Sequence, residues 1–169
     1  MAPARLKRPD RTPLYTPEER ARRDATVWTT VQGVLAPVQF LVFLVSLALV
    51  LRFLATGAGW EAATVSIVLK TAVLYAIMIT GAIWEKVVFG QYLLAPAFFW
   101  EDVVSFGVIA LHTGYLVALA TGWGGAEGQM AIALAAYAAY VVNAAQFLLK
   151  LRAARRSETA RPAAAEVAA

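Results

Sequence analysis

Long apolar segments dominate this sequence and restrict the chain to one environment. Residues 25–54, 62–84, 103–121 and 129–151 are almost entirely apolar. Since about 20 helical residues cross a hydrocarbon layer roughly 30 Å thick, each segment is long enough to span a bilayer. Only 15% of the residues are charged, against about 25% in a typical soluble protein. We therefore predict an all-α integral membrane protein, a bundle of four spanning helices.

The segments that flank the spans are polar. Residues 1–15 are rich in proline and in basic residues, which predicts a disordered leader. Thr16 and Glu19 then match a capping box, the pattern of a helix start. We accordingly expect a membrane domain over residues 16–152 and a disordered, alanine-rich tail over residues 153–169.

Basic residues lie almost entirely near the two ends of the chain. Of the 15 lysines and arginines, seven precede Asp24 and five lie from Lys150 onward, whereas Arg52 lies at the opposite ends of the spans. The positive-inside rule then places both termini in the cytoplasm. This distribution excludes a basic nucleic-acid-binding face. The absence of cysteine excludes a disulfide framework, a thiolate zinc site, an iron–sulfur cluster and a cysteine nucleophile.

A few polar residues interrupt the apolar spans. Gln32, Gln39 and Ser46 recur every seven residues, so they share one stripe of the first helix, and that stripe must face protein. Lys70 and His112 lie at similar depths in neighbouring antiparallel spans, about 12–14 Å below the outer surface at 1.5 Å per residue. Two interpretations stay open: packing residues with an outward-reaching lysine, or a proton-transfer and metal-ligating pair. Tyr137 and Ser46 fall near the same depth.

Chemically active side chains concentrate at the cytoplasmic ends of the two middle spans. The segment 87–97 between those spans is too apolar for a solvated loop, so we expect it to lie in the interface or re-enter it. Burial and like charge both oppose ionisation, so a proton donor and a proton acceptor can coexist among carboxyl groups there. Alternatively, the acids complement a helix dipole and the tryptophans form an aromatic belt. The residues concerned are Trp84, Glu85, Lys86, Phe98, Phe99, Trp100, Glu101 and Asp102.

Three stretches carry a resemblance to a known family: RRDATVWTTVQGVLAPVQFLVFLVSL (22–47), KTAVLYAIMITGAIWEKVVFG (70–90) and AFFWEDVVSFGVIALHTGYLVAL (97–119). They resemble the vinyl bacteriochlorophyllide hydratases of phototrophic bacteria. The resemblance covers about residues 13–150. It implies a multi-pass protein of the bacterial inner membrane, cytoplasmic or intracytoplasmic. It also implies a lyase that adds water to the C3 vinyl group of a magnesium chlorin during bacteriochlorophyll synthesis, giving a 1-hydroxyethyl group.

The resemblance brings no catalytic assignment with it, so the candidate roles follow from the chemistry of the reaction. Protonation of the vinyl group leaves a cation that the macrocycle delocalises and that water attacks. An acid, a base and a flat apolar slot suffice, so we expect no cofactor and no metal of the protein's own. The catalytic candidates are Glu101 as proton donor, Asp102, Glu85 and His112. The substrate-binding candidates are Lys86 for the propionate, with Arg22 and Arg23 as alternatives, and Trp84, Phe99, Trp100 and Lys70.

Two other protein classes fit the same residues. A pigment-binding or assembly protein without enzymatic activity would use His112 as an axial ligand to the substrate's magnesium. A small transporter would use Lys70 and His112 as a proton relay, although four spans without an internal repeat are few. Expected partners are the magnesium chlorin, the lipid bilayer and other pigment-synthesis enzymes. The oligomeric state stays open, because the alanine-rich fourth span permits close approach of a helix from either chain.

The charge distribution gives a testable topology. We expect a periplasm-active reporter such as alkaline phosphatase to be inactive when fused after Leu151 and active when fused after Gly57. Both termini would then be cytoplasmic, and the loop that contains Arg52 would be periplasmic. The opposite pattern of activities would contradict the orientation.

Overall fold

The structure is a computed structural model that describes the backbone of residues 13–166 and the side chains of residues 13–156. Residues 1–12, most of the predicted leader, lie outside the described residues. The described chain is all helical. Its helices are α1 (Pro17–Ala25), α2 (Val27–Thr56), α3 (Trp60–Phe89), α4 (Phe99–Thr121) and α5 (Gly125–Glu166).

Four of these helices are long and apolar enough to cross a membrane: α2, α3, α4 and the Gly125–Arg156 part of α5. Their outward faces carry large apolar side chains that are exposed, such as Leu41, Val45 and Val65. Their inward faces bury many polar side chains. This distribution is that of a protein whose solvent is lipid, because exposed apolar surface on this scale would be unfavourable in water. The prediction of an all-α protein with four helices able to span a membrane is confirmed.

Helix α1 is short, polar and separate from the spans. Thr16 accepts a hydrogen bond from the Glu19 N–H while the Glu19 side chain accepts one from the Thr16 N–H, so the predicted capping box is present. The chain breaks at Thr26, whose extended backbone and side chain cap α2. Arg22 Nε donates a hydrogen bond to the Val88 carbonyl at 2.8 Å. This contact holds α1 against the end of α3, and we call this end of the bundle the α1 end.

The spanning helices pack chiefly as two antiparallel hairpins, α2 with α3 and α4 with α5. In the first hairpin, Gln32 Nε2 donates to Thr80 Oγ1 at 2.7 Å. Gln39 and Ser46 are buried, as the seven-residue spacing predicts. Ser46 Oγ also lies 2.5 Å from the Tyr137 hydroxyl, which joins α2 to α5. The polar stripe of α2 therefore faces protein along its length.

The last helix is longer than the sequence suggests. The disordered tail was expected from residue 153, but α5 continues through Glu166. Alanine and arginine have high helix propensity, and an existing helix extends at far lower cost than a new one forms, which explains the continuation. The expectation of a disordered segment over residues 153–166 is therefore corrected, and residues 167–169 lie outside the described residues.

Candidate active site

Three carboxyl groups are buried at the α1 end of the bundle. Glu85 lies in the last turns of α3, while Glu101 and Asp102 lie in the first turn of α4. Their relative exposures are 5%, 5% and 3%. Acidic residues in the first turn complement the helix dipole, but that effect alone does not require burial. Burial of three acids needs partners, and the structure supplies a different partner to each.

Glu85 and Asp102 contact each other. Their side chains interact electrostatically across the contact between α3 and α4. Each also accepts a backbone hydrogen bond from the loop that joins the two helices: the Leu94 N–H donates to Asp102 Oδ2 at 2.6 Å, and the Ala95 N–H donates to Glu85 Oε2 at 3.2 Å. The loop over residues 90–98 therefore covers the pair from the α1 end.

The covering loop has an unusual backbone. Leu93 and Leu94 adopt positive φ angles of 54° and 57°. Left-handed backbone at a residue other than glycine costs about 1–3 kcal/mol and persists only where the surroundings enforce it. Here the two successive left-handed residues direct the N–H groups of Leu94 and Ala95 toward the two carboxyl groups. Ala95 is completely buried, so part of the loop packs into the end of the bundle, whereas residues 87–89 of the apolar segment belong to α3.

Glu101 has a different partner. Lys150, on α5, forms a salt bridge with Glu101 Oε2, and its ammonium group also donates to the Ala97 carbonyl at 2.6 Å. The same ammonium group lies 5.2 Å from the centre of the Phe98 ring. These contacts tie the start of α4 to the end of the spanning part of α5.

An aromatic cluster closes the α1 end around these acids. Phe98 is its centre, with ring centroids 5.7 Å from Trp84, 5.9 Å from Phe89 and 5.8 Å from Phe147. Tyr15, which precedes α1, stacks on Phe89 at 5.8 Å. Trp84 also donates a hydrogen bond to Thr29 at 2.9 Å. The cluster brings the two hairpins and the segment before α1 into one apolar contact.

The other predicted pigment-binding residues of this end lie outside the cluster. Phe99 and Trp100 pack against each other at 5.3 Å and are exposed, Trp100 by 67%. Lys86 is also exposed, donates to the Gly90 carbonyl at 2.7 Å and lies 5.3 Å from the Tyr92 ring. Lys86, shortly before the covering loop, and Phe99 and Trp100, directly after it, are therefore accessible at the α1 end.

Lys70 and His112 lie in the centre of the bundle, far from the carboxyl groups. Both are completely buried. The Lys70 ammonium group lies 3.8 Å from the centre of the Tyr140 ring and 5.9 Å from that of Tyr137. The His112 ring is also 5.9 Å from Tyr137. The structure thus brings together the residues that the sequence places at one depth.

The sequence analysis missed several residues of the α1 end. Lys150 was counted only among the charges that set orientation, although its position directly after an apolar span could have indicated an interfacial partner for an acid. Tyr15 was assigned to the leader, although it is the aromatic residue beside the capping box. The left-handed backbone at Leu93 and Leu94 has no local signal in the sequence, because leucine rarely adopts it.

Comparison with known proteins identifies relatives over most of the chain. The sequence profile of the 2-vinyl bacteriochlorophyllide hydratase family matches residues 15–153. A 2-vinyl bacteriochlorophyllide hydratase of Rhodobacter capsulatus is 73% identical over 147 residues, which cover 87% of this chain and 85% of that protein. One from Cereibacter sphaeroides is 73% identical over 143 residues, covering 84% of this chain and 88% of that protein. No solved structure matches the chain.

The Glu101 to Lys150 contact predicts a stability effect that can be separated from catalysis. Replacing Lys150 with Met leaves a buried carboxylate without its cation, so we expect a loss of about 1–3 kcal/mol. The double variant E101Q/K150M removes both charges and should recover most of that loss. Thermal unfolding in detergent would measure both changes. A double variant no more stable than K150M would contradict the assignment of the ion pair.

Proposed function

The chain belongs to the 2-vinyl bacteriochlorophyllide hydratase family, and from that premise we propose that its hydration site is the carboxyl pair Glu85 and Asp102. The protein is a hydro-lyase of bacteriochlorophyll synthesis that adds water to the vinyl group of its chlorophyllide substrate. The observation that carries the assignment of the site is the placement of two buried acids under one loop, whose consecutive N–H groups at Leu94 and Ala95 donate to Asp102 and Glu85.

Two buried carboxyl groups under one loop oppose ionisation of both, because burial and like charge each disfavour a second negative charge. In the proposed site, one of Glu85 and Asp102 is the carboxylic acid and the other is the carboxylate. Hydration needs these two forms side by side, an acid for the vinyl group and a base for water. Other enzymes that use paired carboxyl groups rely on the same division of roles.

The reaction can proceed with one proton moving through this pair. The protonated member donates its proton to the terminal vinyl carbon, and the positive charge forms on the adjacent carbon, where the macrocycle delocalises it. A water oxygen bonds to that carbon, and a carboxylate of the pair accepts the proton that water loses. The pair returns to its starting state, so we propose that no cofactor is required. Magnesium belongs to the substrate.

We assign Glu101 a supporting role in this scheme. The sequence analysis placed the proton donor on Glu101, but the structure engages Glu101 in a salt bridge with Lys150, apart from the pair. Glu101 precedes Asp102 directly in the chain, so its carboxylate would lie near the cation that forms on the substrate and stabilise it.

The accessible surface beside the loop suits the macrocycle. We propose that the chlorin lies on Phe99 and Trp100, that Trp84 forms part of the apolar wall behind the loop, and that Lys86 pairs with the propionate. Because the loop over residues 90–98 covers the pair, it must move for the vinyl group to reach the acids. The strained backbone at Leu93 and Leu94 lowers the cost of that movement, since opening relieves it.

The orientation in the membrane and the positions of Lys70 and His112 bear on how the substrate reaches the site. We propose that both termini are cytoplasmic and that the protein lies in the inner or intracytoplasmic membrane, where Lys86 would meet a substrate that arrives from the cytoplasmic interface. Lys70 lies 16 residues before Lys86 on α3, about 24 Å away. That separation disfavours Lys70 as a contact for the same propionate. His112 lies ten residues after Asp102 on α4, about 15 Å away, which removes it from the vinyl group.

Isosteric variants test the carboxyl pair. Asp102→Asn and Glu85→Gln keep the size of each side chain and an oxygen for the loop N–H groups, but remove the transferable proton. We expect each to lower the hydration rate by on the order of 10² to 10⁴-fold while pigment binding is retained. The measurement is incorporation of label from heavy-oxygen water into the hydroxyethyl product.

Glu127→Gln is the matched control for this experiment, because Glu127 is exposed in the first turn of α5 at the opposite end. It should leave the rate unchanged. If both pair variants hydrated the vinyl group within threefold of the parent rate, the site would have to lie elsewhere.

A second variant tests substrate capture. Replacing Lys86 with Gln should raise KM more than it lowers kcat, because a contact remote from the reacting carbon acts equally on ground state and transition state. The parent protein should also prefer the free propionic acid to its methyl ester, and K86Q should lose that preference. Equal kinetics of the parent on acid and ester would contradict the role of Lys86.

A further inference from the structure

Lys70 and His112 have polar atoms that no described residue satisfies. Both side chains are completely buried, and neither Lys70 Nζ nor His112 Nε2 has a hydrogen-bond partner among the described residues. A buried polar atom without a partner costs about 1–3 kcal/mol, more when it is charged. Lys70 does not reach outward along its stem, because its ammonium group lies over the Tyr140 ring. Each of the two atoms therefore needs a ligand.

The histidine ring is oriented by its other nitrogen. His112 Nδ1 lies 2.8 Å from the Val108 carbonyl, and since a carbonyl only accepts, Nδ1 must be the donor. A neutral ring of this tautomer presents a lone pair at Nε2. Lys70 Nζ, by contrast, carries hydrogens to donate. Water can accept from lysine and donate to histidine, so it satisfies both atoms.

The surroundings favour water over an anion or a pigment. The faces of aromatic rings are negative, and both Tyr137 and Tyr140 lie close to the Lys70 ammonium group, so they oppose an anion there. A macrocycle is far wider than a water molecule and would reach His112 Nε2 only if the helices separated. The hydroxyl groups of Tyr137, Ser46 and Ser66 form a hydrogen-bonded chain beside the same place, at 2.5 and 2.7 Å.

A second polar layer lies between this place and the acids. Gln39, Ser105 and Asn143 are each six or seven residues closer to the α1 end than Ser46, His112 and Tyr137 respectively, about 10 Å along the helices. All three are buried. Asn143 donates to Ser105 Oγ at 2.7 Å, and Ser105 donates to the Glu101 carbonyl at 2.8 Å.

The oxygens of this second layer are also unsatisfied. Asn143 Oδ1 and Gln39 Oε1 have no partner among the described residues. Water occupies such positions in proteins, bound by buried groups that would otherwise be unpaired. Unpaired polar atoms thus lie at two depths, in the centre of the bundle and in this second layer, and Ser105 links the second layer to the Glu101 carbonyl.

We infer that Lys70 and His112 bind an internal water molecule, and that water held from there along Asn143 and Gln39 supplies the hydration reaction from inside the bundle. The supply role rests on the proposed function of the carboxyl pair. The aromatic cluster around Phe98 closes the α1 end, and a bound chlorin would cover it further, so bulk water is excluded from that side. Water would instead reach the acids through the two interior polar layers.

Hydroxyl-radical footprinting with X-ray pulses tests the water site without reference to catalysis, because radicals form from water in contact with the side chain they modify. Tyr137 is 2% exposed, yet we expect it to be modified rapidly in the parent protein in detergent or nanodiscs. Lys70→Met and His112→Phe should each reduce that modification about tenfold. Thr71→Val is the matched control, since the Thr71 hydroxyl is satisfied by the Ile67 carbonyl of its own helix, and should have no effect.

Hydration kinetics on the same variants test the supply role. Both K70M and H112F should lower the hydration rate at least tenfold while binding of the chlorin is unchanged. An unmodified Tyr137 in the parent protein would overturn the water site. Modification that depends on the chloride concentration would also overturn it, because the ligand would then be an anion. If K70M and H112F lose the modification of Tyr137 but keep the hydration rate of the parent, the supply role would be overturned. If the carboxyl pair is not the site of hydration, Tyr137 is still modified in the parent protein. That outcome is therefore distinguishable from failure of the water site and from failure of the supply role.

Discussion

The cost of placing charged and polar groups in hydrocarbon determines how this protein is arranged. The outer faces of the four long helices are apolar, and the polar side chains are turned inward, where each must find a partner in protein or in bound water. Gln32, Ser46 and Tyr137 meet this requirement with interhelical hydrogen bonds. The three acids of the α1 end meet it with a lysine, with each other and with backbone N–H groups. The same constraint that stabilises the bundle thus assembles its chemistry.

The acids show how similar residues acquire different roles from different partners. Glu101 and Asp102 are neighbours in sequence, but they lie about 100° apart around α4. One therefore meets Lys150 on α5, while the other meets Glu85 on α3. Glu101 is therefore held in an ion pair, whereas Asp102 lies with a second acid under the same loop. The strained loop over residues 90–98 completes the pair, since its N–H groups reach both acids only in the left-handed conformation.

The two polar regions of the bundle suit the two substrates of a hydration. The α1 end offers an apolar surface with a basic residue, which fits an amphipathic macrocycle that partitions into the membrane interface. The centre offers buried donors and acceptors that have no hydrogen-bond partner within residues 13–156, which fits water. Lys70 and His112 are too far from the loop to share one small site with Lys86, so they contribute to hydration only if water links the two regions. This separation explains why both regions carry chemically active residues.

The sequence alone determined the four apolar helices, the capping box at Thr16, the inward stripe of Gln32, Gln39 and Ser46, and the common depth of Lys70 and His112. Each of these follows from helix periodicity or from the length that hydrocarbon imposes, and both are properties of a single segment. The similarity to a hydratase family was also present in the sequence. Only the tertiary structure decided that Asp102 pairs with Glu85, that Lys150 reaches Glu101, and that Tyr15 belongs to the aromatic cluster. Those contacts join different helices, and which faces of α3, α4 and α5 meet depends on packing of the whole bundle rather than on any local pattern.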